Sequence, residues 1–371
     1  MATLKVLVTG ANGFIAKNLL VHLSEKNDVE VITYTRQNKL SDLESFVEEV
    51  DFVFHLAGVN RPKVESEFIE GNTDLTRQLC SALEYSGRKV PILYSSSIQA
   101  ELDNTYGKSK LEAEQAIEFY AKKSGAPVYI FRLPNVFGKW CKPNYNSVVA
   151  TFCHNIANNL PIQINDSSYL VHLVYVDDLV QRFISLMHGT IEENIFCDVF
   201  PIYEITVGDL ADKIQRYRQS REDLVTEPVG NGLDRALHST YLSYLNSKQF
   251  SYPLVKHSDE RGMFVEMLKT KDSGQFSFFT AHVGVTRGGH YHHTKTEKFL
   301  VLKGKALFKF RHVITSEFYE LQTTGDSPQI VETVPGWTHD ITNIGSEEMV
   351  VMLWANETFD RENSDTYTMP L

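Results

Sequence analysis

Two clusters in this 371-residue chain combine residue types and spacings that could do chemistry. The first is Tyr106-Gly107-Lys108-Ser109-Lys110. The i, i+4 spacing puts Tyr106 and Lys110 on one face of a helical segment, whereas Lys108 points off that face. A phenol with a pKa near about 10 is a poor acid–base group at neutral pH, and lowering it by about three units needs about 4 kcal/mol. A neighbouring ammonium can supply much of that. Just upstream, Ser95-Ser96-Ser97 ends a β-rich run. One of these serines, Ser97 in preference to Ser96, could hold a carbonyl while Tyr106 protonates it.

The second cluster is histidine-rich. Four of the 13 histidines fall between His282 and His293, within the string Gly284-x5-His290-x-His292-x4-Glu297-x6-Gly304. Two residues apart on a strand, His290 and His292 project to one face. Glu297 falls on the next strand, and His339 follows in Pro335-Gly336-Trp337-Thr338-His339. Three imidazoles and one carboxylate suit Zn²⁺, Fe²⁺, Mn²⁺ or Ni²⁺. A third feature concerns binding. Thr9-Gly10-Ala11-Asn12-Gly13-Phe14-Ile15-Ala16 follows the first β-rich run and opens a helical one. There Gly10 permits a tight turn and Gly13 lets backbone approach a pyrophosphate at a helix N-terminus. The second run ends in Thr35-Arg36-Gln37-Asn38-Lys39. An acidic residue against a ribose 2′-hydroxyl is missing there and cations stand in its place, which favours NADP(H).

Positioning these residues requires two kinds of architecture. From LKVLVTG to PVYIFRL, short β-branched runs alternate with helical patterns at Phe14 to Ser24, Leu40 to Glu49, Thr73 to Tyr85 and Ser109 to Lys123. That alternation predicts βαβ units in a doubly wound parallel sheet, with a ligand site at the strand C-termini. After about Thr240 the pattern turns to short strands separated by Gly, Pro and Asp turns, which predicts an all-β barrel or sandwich. The expected division is 1–243, a linker over 244–251, and 252–371.

Composition bounds the rest. A formal charge of −11, with 42% hydrophobic and 22% charged residues, describes a folded chain and argues against nucleic acid or an anionic membrane as partner. Four dispersed cysteines without C-x-x-C spacing fit a reducing compartment, so a cytoplasmic location is expected.

Five elements in order carry a family resemblance: Gly-x-x-Gly-x-x-Ala from Gly10, His55-Leu56-Ala57-Gly58, the serine-ended strand, Tyr-x-x-x-Lys, and Arg132-Leu133-Pro134-Asn135-Val136-Phe137-Gly138. Together with Val176-Asp177-Asp178, they make residues 1 to 243 resemble an extended short-chain dehydrogenase/reductase acting on nucleotide sugars. The resemblance implies Ser97, Tyr106 and Lys110 as the catalytic set. It places Gly10, Asn12, Gly13, Phe14, Ile15, Leu56, Ala57 and Gly58 around the cofactor together with Tyr106 and Lys110, puts Asp42 and Leu43 on the adenine side, and sets Asn135 and Ser97 against the sugar nucleotide. Dehydratases of this family follow the catalytic hydroxyl with acidic residues; Ile98 and Gln99 stand here, which disfavours elimination of water.

The histidine string resembles the metal motif of the cupin superfamily at every spacing, and the second motif departs only where Pro-x-Gly is shortened to Pro335-Gly336. His257-Ser258-Asp259-Glu260-Arg261-Gly262 and Arg287-Gly288-Gly289-His290-Tyr291 also resemble metal-free deoxysugar epimerases of that superfamily, in which a histidine at the place of His290 is the base. Arg132 to Asn146 with the cupin behind it resembles the bifunctional capsular-polysaccharide enzymes over essentially the whole chain. That resemblance implies C3 epimerisation of a UDP-4-keto-6-deoxy-HexNAc in the cupin, with zinc, and NADPH-dependent C4 reduction in the first domain. The epimerase base stays open among Tyr291, Lys303, His312 and Asp259. A homodimer through the cupin is expected. The rival readings are a reductase or 4-epimerase with a non-catalytic cupin, a metal-dependent oxygenase, and a silent dinucleotide sensor.

Overall fold

The computed structural model describes the chain apart from residues 1–2, 191, 193, 256, 260–261, 265–267, 271–273 and 358–361, and apart from the side chains of 257–259, 262–264, 269–270 and 275–277. Two compact units form, one from Met1–Ser147 with Val171–Glu204, the other from Val148–Leu170 with Ile205–Leu371.

In the first unit the elements run β1 (Leu4–Thr9), α1 (Phe14–Ser24), β2 (Val29–Tyr34), α2 (Leu40–Val47) and β3 (Phe52–His55). A helical turn, α3 (Ser66–Phe68), passes through a π-helical stretch at Ile69–Asp74 into α4 (Leu75–Tyr85). Then come β4 (Ile92–Ser97), α5 (Thr105–Ser124), β5 (Val128–Leu133) and β6 (Asn135–Phe137). After α6 (Val148–Ala157), which packs in the second unit, β7 (Leu170–Tyr175), α7 (Val176–Met187) and β8 (Tyr203–Thr206) follow.

The main sheet has the order β2-β1-β3-β4-β5 with every pairing parallel. Alternation along each strand feeds two cores. Val6 and Val8 of β1 meet Leu19, Leu23, Leu179 and Phe183 on one side of the sheet, while Leu7 meets Leu43, Val47, Leu79 and Ile117 on the other. Strand order reverses between β1 and β3, so the glycine turn after β1 opens at the switch point where doubly wound sheets take ligands. Two helix starts differ from the sequence reading. The helix expected from Thr73 starts as the π-helical stretch, and α5 begins four residues before Ser109, because the Asn104 side chain accepts the Gly107 N–H at 2.8 Å and caps it there.

The second unit continues with α8 (Val207–Asp223), β9 (Val225–Thr226), α9 (Gly232–Leu242), β10 (Ser251–Pro253), β11 (His257–Asp259), β12 (Gly262–Phe264), β13 (Lys269–Thr270) and β14 (Gln275–Ala281). The remaining strands are β15 (Thr286–Tyr291), β16 (Glu297–Lys303), β17 (Lys305–His312), β18 (Phe318–Thr324), β19 (Gln329–Glu332), β20 (Trp337–Asn343), β21 (Met349–Ala355) and β22 (Tyr367–Thr368). Two five-stranded sheets, β10-β19-β16-β21-β14 and β18-β17-β20-β15-β22, form a cupin-like barrel.

Residues 244–251, expected as a linker, are a packed segment. Leu245 and Phe250 are buried, the Phe250 ring sits 5.0 Å from Trp337 and 5.4 Å from Phe310, and Ser251 opens β10 beside β19. The helices before residue 243 join in: Arg221 of α8 pairs with Glu332 of β19, donates to the Gln249 carbonyl, and lies 4.5 Å from the Tyr252 ring. Lys298 Nζ reaches the other Glu332 oxygen and the Tyr252 hydroxyl, each at 3.0 Å. Packing therefore groups α8 and α9 with the barrel, although the family resemblance of the first domain runs on to residue 243. No helix among the described residues is long and apolar enough to cross a membrane.

Candidate functional site

The glycine turn is fixed by close backbone approach. Gly10 has φ +68°, and a Cβ there would lie 2.6 Å from the Ala57 Cα, so the loop Leu56-Ala57-Gly58 after β3 presses on the turn after β1. The loop is also tied by side chains: Thr9 Oγ1 accepts the Ala57 N–H at 3.2 Å and lies 2.7 Å from His55 Nδ1. His55 itself is driven down to about 3 by burial and by Lys110, and so stays neutral. Asn12 and Gly13 are exposed at the open end of α1, whose first turn carries no acidic residue, while Phe14 and Ile15 pack partly against the core. These are the properties of an anion-accepting helix N-terminus.

Arg36 and Lys39 are exposed around the turn after β2. Asp42 caps α2, accepting the Lys39 N–H at 2.9 Å. Leu43 departs from the expectation. It is 0% exposed within the sheet core, because its position on α2 faces inward, and it offers no surface to an adenine ring.

Tyr106 and Lys110 stand one turn apart on α5, and what lets that helix press against the turn that follows β4 is Gly107. A Cβ there would lie 2.1 Å from the Gln99 carbonyl oxygen, so only a bare Cα allows this contact. Burial raises the Tyr106 phenol above its ordinary value of 10.0, against a hydrogen bond with Ser97 that lowers it. Burial prevails, so the lowered phenol expected at Tyr106 is not seen; the Lys110 ammonium donates to the Ser95 carbonyl at 2.9 Å and lies 4.7 Å from the Tyr94 ring. Burial lowers Lys110 to about 8, with Glu114 opposing.

The adjacent serines separate cleanly. Ser96 donates to the buried Glu114, which also takes Arg132 Nη2 at 2.6 Å. Ser97 lies on the Tyr106 side, where its oxygen accepts the Gln99 N–H at 3.2 Å. Asn135 is exposed at the start of β6, 3.4 Å from the His172 carbonyl. One residue that sequence reasoning missed is Asn72, in the π-helical stretch. It accepts the Val59 N–H at 2.8 Å, donates to the Val59 carbonyl at 3.0 Å and to Ser109 at 2.9 Å, and so holds the loop beyond Gly58 against α5.

In the second unit His290, His292, Glu297 and His339 converge, with one ligand atom from each within 4.8 Å of the others. Antiparallel β15 and β20 set His290 opposite His339, with ring centroids 4.8 Å apart. The chemistry of this group calls for a cation. The Nδ1–H of His292 donates to the Asp365 carbonyl, leaving an Nε2 lone pair that faces Glu297 Oε2 at 3.2 Å. Burial would push Glu297 up, but the hydrogen bond with His292 and the charges of His292 and Lys295 hold it well below the ordinary carboxylate value. Two acceptors thus face each other, and a proton or metal must lie between them. His339 Nε2 has no hydrogen-bond partner and stands 3.6 Å from the same oxygen. Glu297 Oε1 is taken by Lys295 at 2.7 Å. Three imidazoles and one carboxylate oxygen fit a divalent transition metal.

Of the base candidates, Lys303 is exposed and paired with Glu347 at 2.8 Å. Tyr291 alternates to the other face of β15, 5.6 Å from the Tyr367 ring. His312 Nδ1 accepts the Ile314 and Thr315 N–H groups in a turn. The Asp259 side chain and all of Glu260 and Arg261 lie outside the described residues.

The parallel sheet, its glycine turn and the neighbouring Tyr-x-x-x-Lys helix define a nicotinamide-dependent enzyme of the nucleotide-sugar reductase and epimerase type, here continued by a cupin-like barrel. The chain belongs to the NAD dependent epimerase/dehydratase family, which matches residues 6–195, and residues 257–367 match the polysaccharide biosynthesis C-terminal domain. It is 60% identical over 364 residues, 98% of each chain, to UDP-2-acetamido-2,6-beta-L-arabino-hexul-4-ose reductase of Pseudomonas aeruginosa. Among solved structures, the capsular polysaccharide assembling protein CapF of Staphylococcus aureus matches with 45% identity and a TM-score of 0.68, over 99% of this chain and 100% of that one. UDP-glucuronic acid 4-epimerase of Bacillus cereus matches at 18% identity and a TM-score of 0.52, over 58% of this chain and 84% of that one, which shows a shared fold.

Proposed function

We propose that this chain is a two-step nucleotide-sugar enzyme. Its cupin epimerises C3 of a UDP-4-keto-6-deoxy-HexNAc, and its reductase then reduces C4 with NADPH, giving UDP-2-acetamido-2,6-dideoxy-L-talose for capsular polysaccharide synthesis. On this reading residues 1–243 serve reduction and 252–371 epimerisation, the metal is zinc, and the chain works as a cytoplasmic homodimer. The observation that carries the reading is the convergence of three histidines and Glu297 in a chain that already holds a separate Ser97–Tyr106–Lys110 cluster. The name of the Pseudomonas aeruginosa relative, a hexul-4-ose reductase, supports a 4-ketone as the group reduced.

Bound NADPH supplies the hydride. In the first unit Tyr106, kept protonated by burial, donates its phenolic proton to the C4 oxygen, which Ser97 also holds. The Lys110 ammonium favours the phenolate left behind. Arg36 and Lys39 meet the 2′-phosphate, and the open end of α1 receives the pyrophosphate. In the second unit His290, His292, Glu297 and His339 would hold the metal, which supplies positive charge beside the ketone and acidifies the C3 proton. Epimerisation comes first, since reducing the ketone removes that acidity.

The test is the purified chain with a UDP-4-keto sugar in D₂O, with and without NADPH, followed by NMR. Deuterium is expected at C3 without NADPH, and a C4 alcohol appears once it is added. Reduction without any C3 exchange would leave a single-activity reductase carrying a non-catalytic barrel.

A further inference from the structure

We infer that Asp365, on the segment between β21 and β22, is a positioning residue for the metal ligand His292, and that metal retention depends on it. The inference rests on the metal reading above. Asp365 lies 73 positions from His292 in sequence and acts on it twice. Its main-chain carbonyl accepts the His292 Nδ1–H, which fixes the tautomer and aims the Nε2 lone pair at Glu297 and His339. Its carboxylate accepts the N–H groups of His293 at 2.9 Å, Thr294 at 2.6 Å and Lys295 at 2.7 Å, together with the Thr294 hydroxyl at 2.9 Å. Those donors are the turn that joins His292 to Glu297, so one side chain sets the spacing between two ligands.

The residues that follow continue the attachment. Tyr367 and Thr368 form β22 against Tyr291 and His290, and the Met369 N–H donates to the Gly289 carbonyl at 2.8 Å. The segment from Asp365 to Met369 therefore laces the ligand-bearing end of β15 and the turn after it from outside the motif. Groups that orient a ligating imidazole typically change metal affinity by about 10- to 100-fold when removed.

Zinc affinity of the full chain, measured by competition with a chromophoric chelator, tests this, with circular dichroism to confirm folding. Asp365→Ala keeps the main-chain carbonyl but removes all four carboxylate contacts, and is expected to weaken zinc binding by about 10-fold. Thr294→Val removes one of the four carboxylate contacts and is expected to lose a few-fold, which keeps the test open if Asp365→Ala misfolds. Melting with and without zinc separates positioning from a general loss of stability: positioning shrinks the zinc-induced rise in Tm, whereas a merely structural role lowers both melts equally. Wild-type zinc affinity in the folded variants, or an undiminished zinc-induced rise, overturns the assignment of Asp365. Absence of zinc binding by the wild-type chain instead overturns the metal reading itself.

Discussion

Ser96 and Ser97 both have partners on α5, Glu114 and Tyr106 respectively, so the strand alternation legible in the sequence does not by itself tell the two apart. What separates them is Glu114, which takes the Ser96 hydroxyl and is itself held by Arg132. Ser97→Ala is expected to lower reductase kcat by about 10²-fold. Ser96→Ala should instead leave turnover near wild type and cost about 1–3 kcal/mol in denaturant unfolding, because Glu114 loses a buried donor. Tyr106→Phe should lower kcat by about 10²- to 10⁴-fold with little change in NADPH affinity. Lys110 adds a pH dependence. Burial holds it near 8 rather than 10.5, so its ammonium is present below that value and lost as pH rises through it. The reductase rate should therefore fall above about pH 8. The burial penalty on the charged form acts below pH 8 and fades between 8 and 10.5, so fold stability should gain in that window.

Elements bring these residues together through contacts that a local pattern encodes unevenly. The first helix was legible to both ends, from Phe14 to Ser24, because the glycine turn before it and the apolar period within it agree. The π-helical stretch was not, since nothing in Ile69–Asp74 announces that the Asn72 amide must reach Val59 and Ser109 at once. Gly107 is similar: its role appears only when α5 lies against the Gln99 carbonyl. Gly107→Ala should push α5 from the turn that follows β4, reduce reductase turnover at least tenfold, and destabilise the first unit by about 1–3 kcal/mol in thermal unfolding. In the barrel, the His-x-His spacing at the end of β15 was readable, whereas the Asp365 support had no motif. His290→Ala should abolish zinc retention and C3 deuterium exchange while NADPH binding, measured by fluorescence, stays intact.

At the scale of the whole molecule, the change from alternating βα to all-β texture was readable, but the packing boundary was not. Arg221 of α8 meets Glu332 across 111 residues, and Ser239 of α9 meets the His293 carbonyl across 54. A fragment starting at residue 252 loses Arg221 and Phe250 from the barrel. It should melt well below the same barrel with residues 205–251 included, as read by calorimetry. That buried group has a further consequence for solution conditions. Arg221, Lys298 and Glu332 are largely withdrawn from solvent, with side-chain exposures of 12%, 3% and 2%, so mobile ions screen their attraction weakly. Raising ionic strength should loosen surface pairs such as Lys303–Glu347 while leaving the attachment of α8 to the barrel nearly unchanged, so this seam should tolerate salt.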